Sequence, residues 1–99
     1  MDVQFQAIHF DADQKLIEFI KERLSKLNLF YDQIIGSEVF LRLDKSDRNL
    51  NKTVEIKLNI PGKELFAKKQ CKSFEEATDE AIDALRRQIK KHKGKHLVK

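Results

Sequence analysis

Apolar and polar side chains alternate most regularly between residues 53 and 60. There Val54, Ile56, Leu58 and Ile60 interleave with Thr53, Glu55, Lys57 and Asn59. A period of two puts each set on its own face of a pleated strand, so the segment predicts a strand with one buried face. Val39, Leu41 and Leu43 against Glu38, Phe40 and Arg42 predict another, and Val3 to Phe10 (Val3, Phe5 and Ala7 against Gln4 and Gln6) a third. Pro61-Gly62 supplies turn chemistry, which sends the chain back into a fourth strand at about Glu64 to Gln70. Asp44 to Asn51 reads as a polar loop.

Two segments change period. Leu16, Ile17, Ile20, Leu24, Leu27 and Tyr31 recur at helical spacing, with Asp11 or Asp13 as N-cap and the end marked by Asn28 and Tyr31-Asp32. Ser73-Phe74-Glu75-Glu76 is a capping box, opening a helix that buries Phe74, Ala77, Ala81, Ile82, Leu85 and Ile89 and stops at Gly94. The order is β-α-β-β-β-α. Three strands joined by short links pair antiparallel, and two amphipathic helices need one surface to cover. The expected fold is α+β, a two-layer sandwich with a four-stranded sheet and both helices on one face.

Ninety-nine residues, 40% apolar and 36% charged, suit a single domain, here residues 1–99. The opening residues lack a basic signal-peptide region, no apolar run approaches membrane-spanning length, and Cys71 has no disulfide partner; these predict a cytoplasmic protein without a membrane partner. The net charge of +4 is unevenly spread. Arg86, Arg87, Lys90, Lys91, Lys93, Lys95 and Lys99 lie in the last 14 residues with no acid among them, which leaves the other 85 residues a net of −3. Such a patch fits a polyanionic partner. It equally fits a solvated helix end whose cations complement the macrodipole, opposite Glu75, Glu76, Asp79, Glu80 and Asp83.

Catalysis finds little support. The glycines at 36, 62 and 94 form no phosphate loop. Cys71 is distant in sequence from every His and reads as a packing residue. His92 and His96 stand four apart but lack a third metal ligand, and His92 falls near the apolar stripe. Neither enzyme activity, a cofactor, a metal nor a small-molecule substrate is expected. The cations are more informative. Phe19, Arg23, Lys26 and Phe30 follow one flank of the first helix; on the last, Arg87 and Lys91 share a flank with Ala84 and Gln88, while Arg86, Lys90 and Lys93 line the other. Helices packed side by side would let cations of both converge on one surface, suited to an irregular folded RNA. Phe40 and Phe66 point to the open sheet face and read as cross-strand packing partners.

The run from Ser73 to Lys93, with its Ala81-Ile82-Asp83, Arg87-Gln88-Ile89 and Lys91-His92-Lys93 groups, resembles the last helix of ribosome hibernation promoting factors. These are the ribosome-associated translation inhibitors also known as sigma-54 modulation proteins. Leu24-Ser25-Lys26-Leu27 and Phe30-Tyr31-Asp32-Gln33-Ile34 are similar to the end of that family's first helix, and the element order is also the family's. The resemblance implies binding to the small ribosomal subunit through rRNA at the decoding region and steric inhibition of translation. Carried over by position, the RNA-facing cations are Arg23, Lys26, Arg87, Lys91 and Lys93, with Arg86, Lys90 and Lys95 as auxiliary contacts. It also implies the short form of the family, monomeric off the ribosome. Two positions depart: Ala84 replaces a frequent Lys, and Lys69 replaces a small residue, predicting that the fourth strand ends early or twists. The alternatives are a protein-binding regulator such as a sigma-factor modulator, and a generic double-stranded RNA binder.

Overall fold

Asp13 opens the first helix. Its carboxylate accepts the Lys15 backbone N–H at 2.6 Å, and the helix, α1, runs over Gln14–Phe30. Leu16, Ile20, Leu24 and Leu27 form its buried stripe. It closes at Tyr31, whose extended backbone donates its N–H to the Leu27 carbonyl at 2.9 Å. In this computed structural model, which describes residues 1–8, 10–45 and 49–97 with side chains to residue 94, the remaining elements are β1 (Asp2–Ile8), β2 (Gly36–Leu43), β3 (Lys52–Ile60), β4 (Lys63–Cys71) and α2 (Phe74–Leu97). The expected β-α-β-β-β-α order stands.

The sheet order is β1-β2-β3-β4, antiparallel from β2 onward as the short links require. β1 runs parallel to β2, a pairing that α1 makes possible as the crossover between them. At the β3–β4 hairpin Gly62 takes φ 75° after Pro61, the combination that a type II turn demands. Alternation along β3 becomes a two-faced strand: Val54, Ile56, Leu58 and Ile60 are buried, and Glu55 and Lys57 lie on the open face. The helices cover only the first of these faces. One cluster joins Leu41, Ile56 and Leu58 to Ile20, Leu24, Leu85 and Ile89, each fully buried, and each such side chain contributes roughly 1.5–3 kcal/mol.

The two helices lie side by side and run in the same direction. Phe10 stacks on Phe74 at 4.8 Å where both helices begin, Arg23 meets Asp79 further along, and Tyr31 meets His92 edge-on at 6.1 Å. α2 rests over β3 and β4. The far flank of α1 approaches β1, where Lys21 lies 6.0 Å from the Phe5 ring.

Four expectations need correction. β1 ends at Ile8, short of Phe10, because Phe10 turns away to stack on Phe74; His9 lies outside the described residues. Ala7 is exposed on this edge strand, whereas Val3 and Phe5 are half-buried. Gly94 does not stop α2, which continues to Leu97: a glycine ends a helix by turning left-handed, and Gly94 shows no positive φ. β4 does not end early at Lys69 but pairs with β3 through Cys71; Lys69 is half-buried opposite Val54, where a long stem can lead its ammonium out past the sheet edge. Within the loop expected at 44–51, residues 46–48 lie outside the described residues.

Candidate nucleic-acid interface

The flank of α1 that carries Phe19, Arg23, Lys26 and Phe30 faces α2, and α2 answers with Asp79, Arg86 and Lys93. Arg23 lies over the Phe19 ring (4.3 Å to its centroid) and its Nε donates to Asp79 Oδ1 at 2.8 Å, with Glu22 at 3.4 Å. Lys26 pairs with Glu22 at 3.5 Å. This end of the inter-helix surface is thus locally neutral. Exposed pairs of this kind contribute only ~0.2–1 kcal/mol, so a polyanion could replace the carboxylates at little cost.

The other end is different. Arg86 and Lys93 reach the same Phe30 ring from positions two turns apart, at 5.5 and 4.6 Å from its centroid. Lys93 Nζ also donates to the Phe30 carbonyl at 3.4 Å, offsetting the negative end of α1. Among the described residues no carboxylate pairs with Arg86, Arg87, Lys90, Lys91 or Lys93. Arg87, Lys90 and Lys91 are exposed, and Arg86 and Lys93 are half-buried.

The structure therefore sorts the site residues expected from sequence. Arg23, Arg86 and Lys93 make contacts between the helices, while Lys26 and Lys90 follow the same flanks of α1 and α2 as exposed side chains. Arg87 and Lys91 share their flank with Gln88, whose Nε2 donates to the Phe66 carbonyl of β4 at 2.8 Å, so this flank turns toward the sheet edge and away from α1. The Lys95 side chain, the His96 side chain and all of Lys99 lie outside the described residues.

Sequence reasoning missed two features. The first is a half-open cavity of about 540 Å³ at the C-terminal end of α1, lined by Phe30, Tyr31, Pro61, His92 and Lys93 among others. Its walls come from three distant segments, so no local pattern signals it. The second is a cluster of Cys71 Sγ with the Glu76 and Glu80 carboxylates, all within 4.8 Å of one another. Burial and a hydrogen bond to Glu80 at 3.3 Å push the thiol up to about 11, which keeps it protonated near neutrality and makes it a poor nucleophile and a poor soft-metal ligand. This accords with packing as the role of Cys71.

On the open sheet face Phe40 and Phe66 do not pack on each other. Lys57 stands directly opposite Phe66 and 5.6 Å from the Phe40 ring, so each aromatic packs cross-strand against the same lysine, and Phe66 stays 42% exposed. Beside them Arg42 bridges Asp44 and Glu55, both at 2.9 Å, and Thr53 donates to Asp44 at 2.6 Å. These hydrogen bonds hold the Asp44 carboxyl below its ordinary range. No helix among the described residues is long and apolar enough to cross a membrane.

Known proteins share both sequence and fold with this chain. A Pseudomonas putida protein named ribosome hibernation promoting factor is 33% identical over 95 residues, covering 96% of this chain and 89% of that protein. An Escherichia coli K12 protein of the same name is 28% identical, covering 96% of each chain. The structure of a ribosomal subunit interface protein from Coxiella burnetii superposes with a TM-score of 0.85 at 20% identity, covering 95% of this chain and 99% of that one. The N-terminal domain of Protein Y from Thermus thermophilus gives 0.78 at 19% identity, covering 93% and 99%. At those identities the structures establish the two-layer fold. The sequence itself matches the description of one family over residues 3–97, and the chain belongs to that family, the sigma 54 modulation protein / S30EA ribosomal protein family.

Proposed function

We propose that this protein associates with ribosomes and holds them inactive, by binding the small subunit at the decoding region through rRNA and excluding messenger and transfer RNA sterically. The observation that carries the reading is the second half of α2: five cations without a carboxylate partner among the described residues, beside a first helix that presents Arg23 and Lys26. A cationic helix face recognises folded RNA by shape and phosphate position. The names of its relatives, ribosome hibernation promoting factor and ribosomal subunit interface protein, support the same partner. No chemical step is involved. The protein acts in the cytoplasm as one ribosome-binding domain, and off the ribosome it is a monomer.

The test is co-sedimentation with small subunits and displacement by initiator transfer RNA. Arg87→Glu with Lys91→Glu is expected to abolish co-sedimentation at physiological salt; unchanged binding sinks the proposed surface. A second reading, a protein-binding regulator, draws on the exposed Phe66 beside Phe40. Its mark is a pull-down insensitive to nuclease and lost in Phe66→Ser.

A further inference from the structure

Two like charges converge on Phe30. Arg86 and Lys93 lie 5.5 and 4.6 Å from one ring centroid, so the two cationic groups stand at most about 10 Å apart. Among the described residues no carboxylate pairs with either. The Arg86 Nε–H is moreover buried and has no acceptor. That N–H is shielded from solvent, so an anion would meet this guanidinium through its terminal nitrogens. Lys93 spends one donor on the Phe30 carbonyl, and an ammonium has two more.

The same ring forms a wall of the cavity at the end of α1. Its volume of about 540 Å³ lies in the range of small-molecule sites, roughly 300–1,000 Å³. Phe30 and Tyr31 give it aromatic surface, Lys93 and His92 line the α2 side, and Asp32 and Gln33 bring hydrogen-bonding groups to the loop side. Aromatic surface beside paired cations is the chemistry of a nucleotide: the base takes the aromatic wall, the phosphate takes the cations, and the polar groups meet base edges or the ribose 2′-hydroxyl. A base inside a duplex cannot enter such a recess.

We infer that this cavity receives one unpaired nucleotide of an RNA strand, with its phosphate at Lys93, on the side toward Arg86, and its base against the Phe30 and Tyr31 wall. The inference rests on the rRNA-binding reading above and deepens it, dividing the surface into a phosphate-binding helix face and one recess that requires a flipped-out base.

The test is amide shift mapping of the whole chain with a short uridine oligonucleotide, with uridine monophosphate alone and with a blunt RNA duplex. The oligonucleotide is expected to shift residues 30–33 and 92–93 most, and the duplex to shift only the outer face of α2. Phe30→Leu keeps an apolar side chain and removes the ring, and is expected to weaken the oligonucleotide about tenfold, in line with a lost base–aromatic stack, while the duplex is unaffected. Should Phe30→Leu melt early, Lys93→Gln serves instead, with the same loss of shifts at 30–33. Oligonucleotide shifts confined to 86–91 overturn the recess. Monophosphate binding as tight as the oligonucleotide's overturns the strand in favour of a free nucleotide. Small-subunit co-sedimentation of the unmodified protein separates the two readings: its presence with no shifts at 30–33 sinks only the recess, and its absence sinks the ribosome itself as partner.

Discussion

Replacing Arg87 and Lys91 together by Gln is expected to flatten the salt dependence of small-subunit binding. The magnitude follows from which cations are already neutralised. Five on α2 (Arg86, Arg87, Lys90, Lys91 and Lys93) have no carboxylate partner among the described residues. Each phosphate contact contributes about 0.7–0.9 to the slope of log affinity against log salt, so five predict a slope of about −4. Removing two brings it to about −2.5. Replacing Arg23 and Lys26 by Gln is expected to change the slope by less than about one unit. Arg23 already bonds Asp79 at 2.8 Å and Lys26 lies 3.5 Å from Glu22, so engaging phosphate exchanges one counter-charge for another. The assay is equilibrium binding of labelled protein to purified small subunits over a potassium chloride series at fixed magnesium. Equal flattening by the two double variants, or a wild-type slope near zero, refutes the reasoning.

Three further outcomes are expected. Leu24→Ala, at a site fully shielded from solvent, should lose about 2–5 kcal/mol in urea unfolding, the cost of the missing contacts plus the cavity. Gly94→Ala should raise helicity and stability by up to about 1 kcal/mol, because the new methyl meets nothing within 4 Å and the backbone there is not left-handed; a loss, read by circular dichroism melting, would restore Gly94 as a helix stop. The Asp44 carboxyl titrates lower in the folded chain than in the unfolded one, so the stability it contributes is present above its unfolded value near 4 and lost as pH falls through the folded one. Asp44→Asn should therefore be less stable than the parent at neutral pH, with the difference shrinking in urea titrations carried out below about pH 4.

What could be read from the chain was local. The period of two at Val54 to Ile60 and the capping box at Ser73, whose Oγ accepts the Glu76 N–H at 3.1 Å, both act within a few residues, and both elements form where expected. Gly94 misleads because its role depends on φ, which residue type alone does not set. Lys69 misleads because a long aliphatic stem tolerates a half-buried edge position. The helical wheel gives the two basic flanks of α2 but not which one meets α1. That is settled by contacts 56 and 63 residues apart in sequence, Arg23 with Asp79 and Lys93 with Phe30. The resemblance-based choice of Arg87, Lys91 and Lys93 thus spans both sides of one helix, with Lys93 beside Arg86 on the side that meets α1, and the salt series above weighs Arg87 and Lys91 directly.

The separation of charge along α2 has a kinetic consequence. Glu75, Glu76, Asp79, Glu80 and Asp83 occupy the beginning of α2 and Arg86, Arg87, Lys90, Lys91 and Lys93 the later turns, with the centres of the two groups about 16 Å apart along the axis. A polyanion attracts one end of this rod and repels the other, so its field exerts a torque as well as a pull. Ionic screening confines that torque to roughly 8–10 Å from the phosphate surface. Within that shell the protein turns before it touches, and encounters that begin with the acidic end leading are rejected rather than trapped. Added salt should therefore slow association through misaligned approaches, an effect on the encounter rate that adds to the loss of phosphate contacts in the seated complex.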